Sequence, residues 1–453
     1  MKLVKMSLAA AVLLGASAFA LDNVKVSGDA KLYYGTNNMT TTNAISHNTS
    51  SSLFNKTTSA ADTAIRLGAT GDLMKGVSFG VTGYAVSTLG LENNLVSSTW
   101  TGAHGAQAGT GSNYAQVNDA MWIGEAWVAG TLGKTTAKLG RMALDTPFAF
   151  SETWSVVPNT FEAAVLINQD IPDTTLVGAW VGKGNGTNAV SLSSAGAALG
   201  TENQSTLASL GLAYDGGVVG ANGGFVTFAH GGAYAAAVVN NSFKPLTAQA
   251  WYYNVDSIAD AYWLQGDIDC SLVKGLKIGA QYADMSPKGV LQTTIPTIKD
   301  SKGYAAKLGY EGVQNLKVSA AYSKVDDEGT LKIANVGTNN LGTAQSKLYT
   351  EAFWNYGYVG AAGAKTYTLA AEYNAGIAQL GAYYTNVNNK KVTAGVESNH
   401  DLSEIALSVS KSFGPLDATL AYFSTDAKDQ NIKVGHTTGT RYDSVLAMLK
   451  LNF

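Results

Sequence analysis

The densest chemistry in the chain lies between Gly140 and Val165, in GRMALDTPFAFSETWSVVPNTFEAAV. Asp145, Glu152 and Glu162 stand there against Arg141, with Glu125 and Asp119 close upstream. Three acids against one base in a narrow, low-dielectric passage would focus a negative field and favour cations. Asp145 and Glu152 also supply the carboxylate oxygens that a hard divalent cation such as calcium takes. The same stretch carries Phe148, Phe150, Trp154, Val156 and Val157, and Pro147 and Pro158 stiffen its two ends. A loop with that many apolar anchors is expected to pack on a wall rather than extend into water. Folded into a hollow structure between Gly140 and Asn159, it would form a constriction.

Other motifs point to no reaction. Gly76-Val77-Ser78-Phe79-Gly80 matches G-x-S-x-G. A nucleophile elbow needs a strand running into a helix, and the pattern around Ser78 is that of a strand following a turn. His47, His104, His230, His400 and His436 are scattered without metal-ligand spacing. A base and a nucleophile that converge cannot be placed, so no enzyme and no required cofactor is expected. The formal charge of −3 gives no basic face for nucleic acid.

The elements that must position these residues repeat every second residue. At the C-terminal end Val445, Ala447, Leu449, Leu451 and Phe453 share one face, while Ser444, Lys450 and Asn452 lie on the other. Leu446 and Met448 interrupt that alternation. Period two means a strand with one apolar and one polar side. LKIGAQY (276–282), LKVSAAY (316–322) and LDATLAY (416–422) repeat one template, each after a short turn and each ending on tyrosine. Strict up-down alternation gives eighteen strands, with sixteen or twenty as alternatives. They are 24–35, 62–73, 77–88, 120–131, 135–143, 160–168, 173–183, 225–240, 246–255, 260–270, 275–284, 302–311, 315–324, 365–374, 377–387, 401–413, 416–424 and 441–453. The region 184–240 has the weakest pattern.

Compartment follows from the N-terminus. Lys2 and Lys5, the apolar run Met6 to Phe19 and Ala18-Phe19-Ala20 read as a secretory signal peptide over 1–20. The mature chain over 21–453 is then one all-β domain, and losing two lysines takes the charge from −3 to −5. The single Cys270 allows no internal disulfide. Short turns on one side and long Ser/Thr/Asn/Gly-rich loops on the other are the build of a transmembrane antiparallel β-barrel of the bacterial outer membrane. Tyr34, Tyr282, Tyr322, Tyr384 and Tyr422 fall at one edge of the apolar band, and Tyr310, Tyr373, Phe413 and Phe453 at the other. That matches interfacial aromatic belts.

A barrel this wide cannot be filled by its own side chains and leaves an aqueous lumen. Strand parity sends Lys25, Lys31, Arg66, Lys183, Lys277, Lys307, Lys317 and Lys450 inward, against Asp29, Asp72, Glu125, Asp267, Asp269, Glu372 and Asp417. These charges would be costly in a dry core but lie easily along water. The expected function is passive diffusion of ions and small hydrophilic solutes, mildly cation-selective. The alternative is a surface adhesin whose barrel serves mainly as anchor.

GRMALDTP, VPNTFEAA, IPDTTLVGAW (171–180) and KPLTAQAWYYNVDSIADAYWLQGDIDC (244–270) resemble the outer-membrane porin D (OprD-like) family, and still more the major outer-membrane porin of Campylobacter-type bacteria. The resemblance implies an eighteen-stranded homotrimer set in lipid bilayer and lipopolysaccharide, constricted by its third outer loop, with calcium as a candidate ion there. Family members carry an arginine-rich lumenal ladder. This chain has only Arg66, Arg141 and Arg441, which favours a general porin over a carboxylate-specific one.

Overall fold

The computed structural model describes residues 22–38, 41–43, 46–49, 52–87, 95–96, 120–186, 217–227, 231–338, 344–393, 396–399, 401–427 and 441–453. Eighteen antiparallel strands close into a barrel. They are β1 (Asp22–Asn37), β2 (Ser59–Met74), β3 (Val77–Ser87), β4 (Ala120–Leu132), β5 (Thr135–Met142), β6 (Phe161–Asn168), β7 (Thr174–Gly184), β8 (Ala233–Asn240) and β9 (Leu246–Val255). The second half runs β10 (Ala259–Asp269), β11 (Leu276–Pro287), β12 (Ser301–Val313), β13 (Leu316–Val325), β14 (Lys365–Asn374), β15 (Gln379–Asn388), β16 (Leu402–Phe413), β17 (Leu416–Asp426) and β18 (Arg441–Asn452). The count equals the alternation count. The one expected strand that breaks is 225–240, where only Val226–Thr227 and then Ala233–Asn240 pair with β7. Gly232, at φ +76°, turns the chain between them. The signal-peptide residues lie outside the described residues, as does most of 184–240 up to residue 216.

Closure joins the two ends of the chain. β1 pairs with β18 from Asp29↔Asn452 to Asn37↔Ser444. Gly28 N–H donates to the Phe453 carbonyl at 2.7 Å, and Phe453 N–H donates back to Gly28 at 3.0 Å. A side chain at Gly28 would strike the Phe453 ring, so glycine seats the terminal aromatic. In lipid an open strand edge cannot be satisfied, and closure removes it. Short turns hold the opposite strand ends: Gly76 and Gly414 take positive φ, and so does Asn315, as tight hairpins require.

Outward faces are apolar. Val318, Tyr322, Leu369, Leu407, Leu420 and Leu449 are all exposed. Tyr282, Tyr322 and Tyr422 are exposed near one rim; Tyr310, Tyr373, Phe413 and Phe453 near the other. Leu446 and Met448, the two residues out of pattern in the last strand, point inward and pack on a lumenal cluster around Tyr33, Tyr84 and Trp122. Ser78 sits within β3, paired with Asp72 and Ala129, so its G-x-S-x-G context forms no elbow.

Parity places the expected inward charges on the lumenal wall with one exception. Lys183 faces out, because Gly182 is an extra residue between the pairs Ala163↔Val181 and Glu162↔Lys183. One inserted residue moves everything beyond it to the other face.

Candidate functional site

Two loops run inside the barrel. The first, 143–160, folds back as a tight hairpin in which Ser151 N–H donates to Leu144 carbonyl at 2.8 Å. Its tip, Phe148, packs edge-on against Tyr253 of β9 (5.4 Å) and Trp263 of β10 (5.5 Å). The following residues reach the other way. Lys31 Nζ donates to the Ser155 carbonyl at 3.1 Å, and the Tyr33 hydroxyl donates to the Trp154 carbonyl. Val156 and Val157 are buried in the Tyr33–Tyr84–Trp122 cluster. β1 and β10 lie nine places apart in a ring of eighteen, so the loop spans the lumen from wall to wall.

The second loop, 326–364, was not singled out by the sequence, although five aromatics fall between residues 349 and 358. The Tyr349 hydroxyl donates to Asp267 at 2.6 Å, and Gln281 Nε2 donates to the Lys347 carbonyl at 2.9 Å. Farther along, Glu404 of β16 accepts the N–H groups of Trp354 (3.0 Å) and Asn355 (2.7 Å). Trp354 stacks on Phe423 at 4.7 Å. This loop is therefore tied to β10, β11, β16 and β17.

The loops meet at Asn335, which is fully buried. Its Oδ1 accepts the N–H groups of Phe150 and Gly337, both at 3.1 Å. Its Nδ2 donates to the Phe150 carbonyl at 2.8 Å and to Glu152 Oε1 at 3.0 Å. Glu152 also accepts from the Thr338 hydroxyl and from Trp154 Nε1 at 3.2 Å. Burial raises the Glu152 carboxyl above the usual carboxylate range, and the three side-chain donors hold back only part of that rise. Burial likewise pushes Glu351, against the N–H groups of Ser346 and Ala352, up to about 7, and the charge of Glu152 adds to it. At the exposed edge of the junction Lys347 Nζ pairs with Asp145 at 2.7 Å.

The residues expected at the constriction divide. Asp145 and Glu152 lie on the first loop as expected. They do not form an open pair of carboxylates, since one is ion-paired and the other enclosed. Among the described residues no group of three or more His, Cys, Asp or Glu is set to hold a metal ion. Glu125 faces the lumen from β4, and Asp119 lies outside the described residues.

Arg141 and Glu162 are not in the lumen. They are cross-strand partners on β5 and β6, and they share the outward faces of Leu139 (60% exposed) and Leu166 (50% exposed). Both lie inside the strands expected over 135–143 and 160–168, in the same alternation as Leu139 and Leu166, so they belong to the outer wall and not to the loop. Lys25, Arg66, Lys277 and Lys317 line the lumen, and three of them are ion-paired: Arg66 with Asp29 (2.7 Å), Lys277 with Asp269 (2.6 Å) and Lys317 with Glu311 (3.8 Å).

The family model for Gram-negative porins matches residues 273–443. A comparison with curated proteins finds no match. Among solved structures the chain is similar to OccK8 (OprE) of Pseudomonas aeruginosa, at 15% identity and a TM-score of 0.68 over 95% of this chain and 98% of that one. It is also similar to OccAB2 of Acinetobacter baumannii (15%, TM-score 0.65, 95% and 98%). A third is OpdK of Pseudomonas aeruginosa, crystallised with vanillate (10%, TM-score 0.65, 95% and 98%). The fold is that of an eighteen-stranded porin barrel, in line with the porin D resemblance.

Proposed function

We propose that this chain forms a passive, water-filled channel of the bacterial outer membrane for ions and small hydrophilic solutes, with the loops 143–160 and 326–364 as its constriction. The observation that carries this reading is the pinning of both loops to lumenal side chains on opposite walls, above a wall lined with ion pairs such as Arg66–Asp29 and Lys277–Asp269. Such a wall suits water, because charged groups buried dry would be costly. A passage crossed by two loops passes small solutes and holds back larger ones.

Mild cation preference is part of the proposal. With Arg141 and Glu162 outside the lumen, its support moves to the loops themselves. They carry Asp145, Asp326, Asp327 and Glu328, besides the enclosed Glu152 and Glu351, against Lys332 and Lys347. The homotrimer, the close kinship with the Campylobacter-type porin and a surrounding leaflet of lipopolysaccharide belong to the same reading.

Reconstitution in planar bilayers tests it. Stepwise, ohmic currents are expected in simple salt, and shortening the first loop between Leu144 and Pro158 should raise conductance and admit larger sugars in liposome swelling. Protein that inserts but never conducts would refute the channel, and an unchanged sugar limit would refute the constriction.

A further inference from the structure

On the outward face, Glu162 sits between two cations. Its Oε1 accepts from Arg141 Nε and Nη2, both at 3.1 Å, and its Oε2 lies 3.3 Å from Lys183 Nζ. The cluster keeps one unit of positive charge, and the Arg141 and Lys183 side chains are 38% and 47% exposed. Arg141 is held in place from behind: Nη1 donates to the Ile123 carbonyl at 3.2 Å, and the guanidinium lies 4.2 Å from the Phe225 ring centre. The cluster opens into a groove of about 610 Å³ whose floor includes Ile123, Leu139 and Trp180.

The depth of this groove is set by the strands. Arg141, Glu162 and Lys183 are each one residue from the loop-bearing end of β5, β6 and β7. Charges on the lipid face of a barrel are costly at mid-membrane and tolerated near the interface. Beneath them the outward face turns apolar through Val128, Leu139 and Leu166, all exposed. A net positive, concave site directly above an apolar track fits an amphiphile with an anionic head. A planar guanidinium beside an ammonium matches phosphate oxygens, with charge-assisted bonds to both.

We infer that Arg141 and Lys183 bind a phosphate group of an outer-leaflet glycolipid of the lipopolysaccharide type, whose acyl chains lie along Leu139 and Leu166. This rests on the outer-membrane location of the proposed function and gives its lipid partner a defined seat. Glu162 orients the two cations and competes with the phosphate. A polar segment of a second subunit would match the charges but not the apolar track below them.

Detergent-folded protein titrated with bis-phosphorylated lipid A, with dephosphorylated lipid A and with inorganic phosphate, read by native mass spectrometry, tests the assignment. Wild type should retain bis-phosphorylated lipid A. The Arg141→Ala/Lys183→Ala double variant should bind it at least about tenfold more weakly. Glu162→Gln, which removes the competing carboxylate, should bind several-fold more tightly. Conductance should be unchanged in both variants, because the groove lies outside the lumen.

Equal binding of dephosphorylated lipid A, or unchanged affinity in both variants, would overturn the assignment. So would free phosphate competing fully at millimolar concentration, since that marks an adventitious anion only. Loss of oligomer on unheated gels with lipid binding retained would give the groove to a subunit contact instead. A wild type that binds the lipid but never conducts would refute the channel reading while supporting this site.

Discussion

Replacing Asn335 with alanine should unlock both lumenal loops while leaving the barrel folded. The side chain is fully buried and joins the loops through bonds to Phe150, Gly337, Thr338 and Glu152. Its loss strands the N–H groups of Phe150 and Gly337 without their acceptor, and takes one donor from a buried carboxylate. Each buried donor left unsatisfied costs about 1–3 kcal/mol, so the two together cost about 2–6 kcal/mol. Since about 1.4 kcal/mol is a factor of ten, the balance of seated to released loop shifts by roughly 30-fold or more. The burial of Phe148 against Tyr253 and Trp263, worth about 1.5–3 kcal/mol, is of the same size and cannot by itself hold the loop.

The strand ladder does not include Asn335, and heat-modifiable migration of the barrel on gels should therefore be unaltered. In planar bilayers Asn335→Ala is expected to show higher single-channel conductance with added flicker, and proteases should cut within 143–160. Asn335→Asp sharpens the argument. It keeps acceptors for both N–H groups but sets a second carboxylate against Glu152, so its opening should be strong at neutral pH and relieved by acid. Wild-type conductance, sugar limit and proteolysis in Asn335→Ala would refute the idea that this residue pins the loops.

Other outcomes follow from the same geometry. Val318→Lys, outward and exposed, should destabilise the barrel by about 2–4 kcal/mol in lipid refolding titrations, whereas the inward Ser319→Lys should cost far less; equal costs would contradict the facing. Asp145→Asn removes an acid and frees Lys347 from its 2.7 Å pair, so reversal potentials in a salt gradient should move toward anions, and no movement would place the selective charges elsewhere. The Glu351 carboxyl stands at about 7, above its ordinary value of 4.5. Its burial therefore supports the loop seat fully below about pH 4.5, and that support is lost as pH rises through about 7. Wild-type conductance should rise over that window and Glu351→Gln should flatten the rise; a rise unchanged in Glu351→Gln would assign it to another group.

The alternation of residues such as Val445, Ala447 and Leu449 determined the strands, their number and the membrane class, because a lipid-facing strand must repeat every second residue wherever it lies in the barrel. The apolar anchors of 143–160 likewise announced a loop that packs, since Phe148 and Trp154 cannot stay in water at low cost. Where that loop docks is a tertiary matter. Tyr253 and Trp263 on one wall, and Lys31 and Tyr33 on the other, are brought opposite each other only by closure of the ring.

The facing of Lys183 was also out of reach of the sequence pattern. It depends on one bulged glycine, which leaves no periodic trace, whereas Arg141 and Glu162 keep the plain alternation of Leu139 and Leu166. Asn335 shows the limit most plainly. Its partners on the first loop, Phe150 and Glu152, are more than 180 residues away in the chain, and an asparagine within LKIANVG carries no sign of the buried carboxylate it will meet.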